Sequence, residues 1–514
     1  MSSATRWARG RIFTGRRYVE SVAAEDGRVV AAGTTRAVRA ETATGAETID
    51  LRGRLAVPGL ADSHLHLTEI ARLAAGVDLH GARSLGEIGR QVREHADRHP
   101  EGPVYGDGWD QDRLRERRYP TAHDLDRWLG ADRPAVLFRA CHHVALLSTA
   151  VLADLRIDER TRDPPGGRIG RAPGGSPNGL LFDNALEPLR RWDEANFARG
   201  RLGLDTVLRR AASLGLTSLG AVSASPGEVE AVADAARLGA LPVRIASFLR
   251  AADRATFPAL RDRTRTPSTR LVGLKVVGDG AFGARTAWLE RPYADQGGER
   301  GFPLLSPDEL EEIARDADAM DATLAVHAIG DRAVAAALDV FEAVRPVLRP
   351  RLEHASLTPP VLLERLDRVR PHLVVQPAFV TSDVWIADRL GGRRARWAYA
   401  FASFHARGHA PAGSSDAPVE SLDPWSGIAA AIRPRRGGVP EAVDAVTALR
   451  MYAGNAAPVL GTAGIGSLEP GGLADLVECD GIDLDALARA GASRVRRVWR
   501  EGLRVDRPPT AGER

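Results

Sequence analysis

The spacing of apolar and polar positions changes character along the chain. Near the N-terminus short apolar runs alternate with turns. Arg11-Ile12-Phe13-Thr14 precedes a glycine, Ser21-Val22-Ala23-Ala24 precedes Glu25-Asp26-Gly27, and Arg28-Val29-Val30-Ala31-Ala32 precedes Gly33. Short runs bounded by Gly and Asp predict strands. The same style returns near the C-terminus in Ala474–Cys479 and Arg497–Gly502. Two strand-rich ends around an α/β middle predict one small β-sandwich domain composed of residues 1–57 and 462–508.

The middle alternates in another way. Ser306-Pro307-Asp308-Glu309 is a capping box with proline at the first helical position, and it predicts a helix to about Met320. A strand over Thr323–His327, a helix from Asp331 to about Val344 and a strand over Arg351–His354 follow. Next come a helix from Pro360 to about Val369, a strand over His372–Gln376, a helix near Phe401–Arg407 and a strand around Ala410–Ser414. Strand–helix repetition at this spacing means a parallel sheet. Four consecutive units favour a TIM-like (β/α)8 barrel over residues 58–461; periodicity alone leaves a doubly wound sheet open. From about 79 to 184 the rhythm breaks into Arg-, Asp-, Gly- and Pro-rich sequence, including Asp163-Pro164-Pro165-Gly166-Gly167 and Pro173-Gly174-Gly175-Ser176-Pro177. This predicts a segment inserted into the barrel. The tail Arg507–Arg514 is expected to be disordered.

Composition narrows the class. The 514 residues are 44% hydrophobic and 27% charged, as in a soluble globular protein. The pI near 9.1 overstates basicity, because the net charge is only +3 and the two signs are well mixed. No basic stripe stands out, which argues against nucleic acid as a partner. Cys141 and Cys479 lie far apart and form no ligand pair, as suits a reducing compartment. No apolar run has the length of a signal peptide or a membrane span, so a cytoplasmic protein acting on a small molecule, without a membrane partner and with a homodimer possible, is expected.

One basic residue differs from all others. Of the 70 Lys+Arg residues a single one, Lys275, is lysine, so the other 69 are arginine. A composition biased toward arginine leaves a last lysine somewhere without any role for it. Yet arginine keeps its charge at ordinary pH, whereas a buried lysine can lose its proton and do nucleophilic or carbamate chemistry. Lys275 sits in Leu271-Val272-Gly273-Leu274-Lys275-Val276-Val277, a buried-strand pattern in which a free ammonium is costly.

Candidate ligands fall at strand ends. In Pro58-Gly59-Leu60-Ala61-Asp62-Ser63-His64-Leu65-His66 the two histidines are i and i+2 on a strand, hence on one face, and can bind one metal side by side. A bare H-x-H means little. Here, however, His327 closes Leu324-Ala325-Val326, His354 closes Arg351-Leu352-Glu353, and Asp416 follows Gly413-Ser414-Ser415. Each precedes a loop or helix, where barrel enzymes carry their chemistry. Singly, His327 and His354 read as structural; as an ordered set they read as a site. The remaining histidines lie mostly in polar stretches and read as solvated.

This order resembles the amidohydrolase superfamily of metal-dependent hydrolases. Gly278-Asp279-Gly280-Ala281-Phe282-Gly283-Ala284-Arg285-Thr286-Ala287 is similar to a segment of its amidohydrolase 3 branch, the group of YtcJ-like proteins and N-substituted formamide deformylases. Gly106–Asp110, His327–Ala333, Arg351–His354, Ser414–Val419 and Gly466–Asp475 match as well. Carried over by position, the resemblance implies His64 and His66 on one metal, His327 and His354 on a second, and Lys275 bridging them as an N-carboxylysine. Asp416 would bind metal and serve as general base. Mixed nitrogen and oxygen ligands suit Zn²⁺, with Mn²⁺ or Fe²⁺ as alternatives. The implied reaction is hydrolysis of a non-peptide C–N bond of amide or formamide type, in which the metal lowers the pKa of its water toward about 7 and Asp416 moves the proton to the departing nitrogen.

Some family positions differ. Gly220-Ala221 stands where a polar His-Asp pair is common, His142 where Gly is usual, Ser148 where Asn and Asp183 where Glu are common. None is a metal ligand, so these differences bear on the substrate pocket. Trp109, His143 and Arg285 are candidates for that pocket, with loop packing and surface charge as the competing reading. Hydrolysis of a lactone, ester or cyclic amide at the same site is the rival activity. A non-catalytic scaffold is disfavoured by the full set of six ligands. A mononuclear site of His64, His66 and Asp416 with an unmodified Lys275 stays open.

Overall fold

The computed structural model describes residues 4–43, 45–140, 144–164, 167–189, 191–193, 203–239, 241–433 and 441–507. The tail 508–514 lies outside them. The chain divides into two compact units, one of Met1–Leu67 with Leu208–Arg514, the other of Thr68–Val207.

The first unit contains an eight-stranded parallel sheet. Its strands are β1 (Leu60–Leu65), β2 (Leu216–Ala224), β3 (Arg244–Arg250), β4 (Thr269–Val277), β5 (Thr323–Ala328), β6 (Arg351–His354), β7 (His372–Val375) and β8 (Ala412–Gly413), hydrogen-bonded in sequence order. Past the strand ends, the Asp416 amide donates to the His64 carbonyl at 2.8 Å and the His66 amide to the Ala417 carbonyl at 2.8 Å, linking the β8 side to β1. This is the (β/α)8 barrel that the alternation predicts. The capping box forms as read: Ser306 Oγ accepts from the Glu309 amide while the Glu309 carboxylate accepts from the Ser306 amide, and the helix runs Pro307–Ala319. Helices Asp331–Val344 and Pro360–Val369 follow β5 and β6.

Both chain ends contribute to two further sheets of this unit. One orders Arg28–Gly33, Ser21–Glu25, Ala4–Ala8 and Glu47–Asp50. The other orders Leu503–Arg504, Val495–Arg500, Leu476–Cys479, Leu55–Pro58, Arg11–Phe13 and Tyr18–Val19. Alternation drives their packing. Trp7 and Val22 from the first sheet meet Ile12, Ala56, Leu476 and Trp499 from the second in one buried cluster. Trp7 and Trp499 pack edge to face with centroids 5.8 Å apart, a favoured aromatic geometry.

The second unit, whose limits lie outside 79–184 on both sides, carries a six-stranded sheet. Its order is Gly167–Arg171, Pro177–Asp183, Val144–Leu147, Ala135–Arg139, Val104–Trp109 and Val77–Asp78. Strand Ala135–Arg139 is apolar on both faces and feeds two cores. Ala135 and Leu137 join Leu85, Ile88 and Trp109; Val136 and Phe138 join Leu147, Val151 and Leu181. A period of two with both faces covered reads as a continuous apolar run. Gly-Pro punctuation around these short strands conceals the sheet from a sequence reading.

Candidate metal centre

Three of the six proposed ligands, His64, His327 and His354, lie at or next to strand ends on the barrel's C-terminal side, His66 and Asp416 lie in the loops beyond β1 and β8, and Lys275 lies within β4. His64 and His66 extend from β1 toward Asp416. The Nε2 atoms of both histidines lie 3.2 Å from Asp416 Oδ1. One ligand atom from each of the three falls within 4.8 Å of the others, the arrangement that can hold a cation. Asp416 Oδ1 is nevertheless buried without a hydrogen-bond partner among the described residues, and so is His354 Nε2. Buried acceptors left unmatched are costly. Unmatched acceptors of this kind are what a metal would satisfy, so the group of His64, His66 and Asp416 fits the divalent ion the resemblance implies.

The histidines are oriented from behind. His64 Nδ1 donates to Glu353 Oε2 at 2.6 Å, and His354 Nδ1 donates to Gln376 Oε1 at 2.7 Å, while Gln376 Nε2 donates to Ser414 Oγ at 2.9 Å. Protonation at Nδ1 leaves each Nε2 with its lone pair, the state a ligand needs. His354 is held well below an ordinary histidine by burial and then by the neighbouring His327, and so stays neutral. The His327 and His354 rings sit 4.3 Å apart. His327 Nε2 donates to the Gly280 carbonyl at 3.2 Å and lies 3.4 Å from Asp279 Oδ1, which leaves Nδ1 as its acceptor nitrogen.

Glu353 is the pivot of a buried charge network. Arg351 Nε donates to its Oε1 at 2.7 Å and Arg351 Nη2 to its Oε2 at 3.0 Å, with both side chains fully buried. The guanidinium also caps the Ser63 and Val459 carbonyls and lies 4.1 Å over the Phe248 ring. Burial alone would raise the Glu353 pKa, but Arg351 and His64 more than reverse it and hold the carboxylate ionised. Burial likewise raises Asp416; with no metal bound, His64 and His66 in their protonated forms more than reverse this and pull it below the usual carboxylate range.

Lys275 is buried, with Arg250 and Ala325 beside it on the neighbouring strands. Burial lowers its pKa; Glu353 and Asp416 oppose that shift and Arg351 adds to it. Burial thus favours the neutral amine that carbamate chemistry requires. Backbone conformation at the site is unusual too: His354, Ala355 and Asp416 have φ of 68°, 46° and 58°. Left-handed non-glycine residues cost of order 1–3 kcal/mol each and cluster at functional sites.

Two of the weaker candidates find other partners. Trp109 is buried in the core of the second unit, and its Nε1 donates to the Leu137 carbonyl at 2.9 Å, which agrees with the packing alternative for this residue. Arg285 pairs with Asp295 at 2.9 Å, and Asp295 also takes Arg389, so its guanidinium is committed to a loop clasp. His143 lies outside the described residues. Several supports escaped the sequence reading. Besides Glu353 and Gln376, Asp279 accepts from the Trp288, Ile329 and Gly330 amides at 2.8–2.9 Å. Asp62 accepts from the Ser415 and His64 amides, with burial pushing its pKa up to about 6 against those bonds. A charged pair at i and i+2 within a buried strand, as in Arg351-Leu352-Glu353-His354, is the signal that could have found Glu353.

Comparison with known proteins agrees with this geometry. The chain matches the amidohydrolase family over residues 47–506 and belongs to it. It is 33% identical over 429 residues to the putative amidohydrolase YtcJ of Bacillus subtilis (strain 168), covering 80% of each chain. To the N-substituted formamide deformylase of Arthrobacter pascens it is 28% identical over 530 residues, covering 95% of each. A crystal structure of an uncharacterized metal-dependent hydrolase from Pyrococcus furiosus superposes with a TM-score of 0.81 at 30% identity, covering 93% of this chain and 100% of that one.

Proposed function

We propose that this protein hydrolyses a non-peptide C–N bond, of amide or formamide type, in a small molecule. The observation that carries the reading is the convergence of His64 Nε2 and His66 Nε2 on Asp416 Oδ1, each at 3.2 Å, inside a barrel mouth. The formamide deformylase likeness over 95% of both chains supports the bond type. A divalent metal bound by these residues would supply Lewis acidity, drawing the pKa of water toward about 7. Asp416, a carboxylate beside the site, accepts a proton from the attacking water and returns it to the departing nitrogen. Glu353 and Gln376 hold the His64 and His354 rings in the tautomer that presents Nε2. In a binuclear form Lys275, its neutral amine favoured by burial, would add CO₂ and release a proton to become a carbamate, and would help His327 and His354 hold a second metal.

A single-metal version has support of its own, because the compact ligand group comprises His64, His66 and Asp416, and His327 Nε2 is engaged by Gly280. Metal analysis together with intact mass separates the two. Two metals per chain and a lysine heavier by one CO₂ support the binuclear form; one metal and a bare amine overturn it. A panel of N-formyl and N-acyl amines set against lactones, esters and cyclic amides tests the bond. Turnover confined to the oxygen esters would overturn the C–N assignment.

A further inference from the structure

The terminal sheets carry a second concave feature, far from apolar in character. A cavity of about 570 Å³ is lined by Asp50, Glu478 and five arginines: Arg52, Arg54, Arg496, Arg497 and Arg504. Its walls come from the ends of Glu47–Asp50, Leu476–Cys479, Val495–Arg500 and Leu503–Arg504, and from the turn that leads into Leu55–Pro58. That volume is within the range of small-molecule sites.

The charges in this cavity do not cancel. Glu478 is fully buried and holds Arg54 at 3.4 Å and Arg497 in a closer pair. The Arg497 guanidinium is fixed further by the Asp50 carbonyl and by the Trp499 ring, 5.0 Å from its centroid. Asp50 pairs with Arg9, Arg496 with Asp480 at 2.8 Å, and Arg504 with Asp506 at 2.9 Å. Arg52 forms no ion pair among the described residues. Five guanidinium groups and two carboxylates line the hollow; with the outside ion-pair partners Arg9, Asp480 and Asp506 included, six positive groups meet four negative ones, an excess of two positive charges. The pair between Arg496 and Asp480 is about half exposed on both sides, so it contributes little and can exchange its carboxylate for a ligand oxygen.

We propose that this cavity is a binding site for a small molecule bearing two or more oxyanion groups, phosphoryl or carboxylate. Guanidinium forks match both groups in bidentate fashion, and two of the five are pre-positioned by a buried carboxylate, which lowers the cost of ordering them. The site is independent of the hydrolytic reading: none of its residues belongs to the metal centre.

The test is calorimetric titration of the full-length, metal-loaded protein at constant ionic strength. Fructose bisphosphate supplies paired phosphoryl groups, tricarballylate supplies carboxylates, and fructose and sodium chloride are controls. The comparison protein is the triple variant Arg52→Asn, Arg496→Gln, Arg504→Gln. It spares the buried Arg54–Glu478–Arg497 pairing, and asparagine tolerates the left-handed φ of 52° at residue 52. Saturable binding of one polyanion, weakened at least about tenfold in the triple variant while hydrolytic turnover and melting temperature hold, supports the site. Which polyanion binds identifies the group recognised. Absence of binding by both, or binding unchanged in the triple variant, overturns the proposal.

Discussion

The barrel mouth and the terminal sheets solve opposite problems within one compact unit. At the mouth, Arg351, Glu353, His354, Lys275 and Asp416 are all buried, and two of the polar atoms there are unmatched. In the terminal sheets, a buried cluster of Trp7, Ile12, Val22, Leu476 and Trp499 has the alternation of an ordinary sandwich. The first region uses stability and the second supplies it. Buried charge of this kind contributes little to stability, whereas its disruption costs much. Apolar burial contributes in proportion to area. Activity and stability should therefore separate when each region is altered alone.

The largest separation is expected at Asp416. Asp416→Asn should lower kcat by at least about a thousandfold, the upper part of the range for general acid–base groups, while leaving much of the metal bound. Near-normal turnover would remove Asp416 from its proposed role. Trp7→Ala should act the other way, lowering unfolding free energy by about 3–5 kcal/mol with kcat of the folded fraction unchanged. Chemical denaturation and kinetics on the same preparation check both.

Glu353→Gln comes next. It retains shape but removes the charge that fixes His64 and pairs with Arg351, and should weaken metal affinity by about 10–100-fold. Competition with a chelator measures this, and an unchanged affinity would make Glu353 a purely structural partner. Ser306→Ala, on an outer helix away from both regions, should cost about 1 kcal/mol and leave kinetics alone.

The smallest effect is a pH dependence that belongs to the fold. Burial, then Arg349 and Arg351, hold His372 down at about 4 from an ordinary 6.5. The folded form therefore stays neutral while the unfolded chain takes up a proton below 6.5. The stability His372 contributes is present above 6.5 and is lost as pH falls toward 4. In His372→Gln the melting temperature should fall less steeply across that window.

What could be read in advance follows from which signals are local. The capping box at Ser306 and Glu309, and the helices Asp331–Val344 and Pro360–Val369, depend on neighbours in sequence, and their limits agree with the structure. Strand β8 shrinks from Ala410–Ser414 to Ala412–Gly413, whose register partners on β7 are Val374 and Val375. At the site, His64, His66 and Asp416 form one compact group and the His64, His354 and His327 rings adjoin, but their supports were illegible. Glu353 and Gln376 are recognised as positioning groups only when β6 is set beside β1 and β7 in space. Trp109 shows the converse: a large aromatic in a glycine-rich stretch reads equally as pocket or as packing until the sheet around it is seen.

The bonds between Asp416 and His64, and between His66 and Ala417, also order events in time. A growing chain that has already displayed its first histidines must still synthesise every other barrel strand before Asp416 exists to meet them. At about 5–20 residues per second that interval lasts tens of seconds. The nascent chain thus carries an incomplete site until its eighth barrel strand has been made.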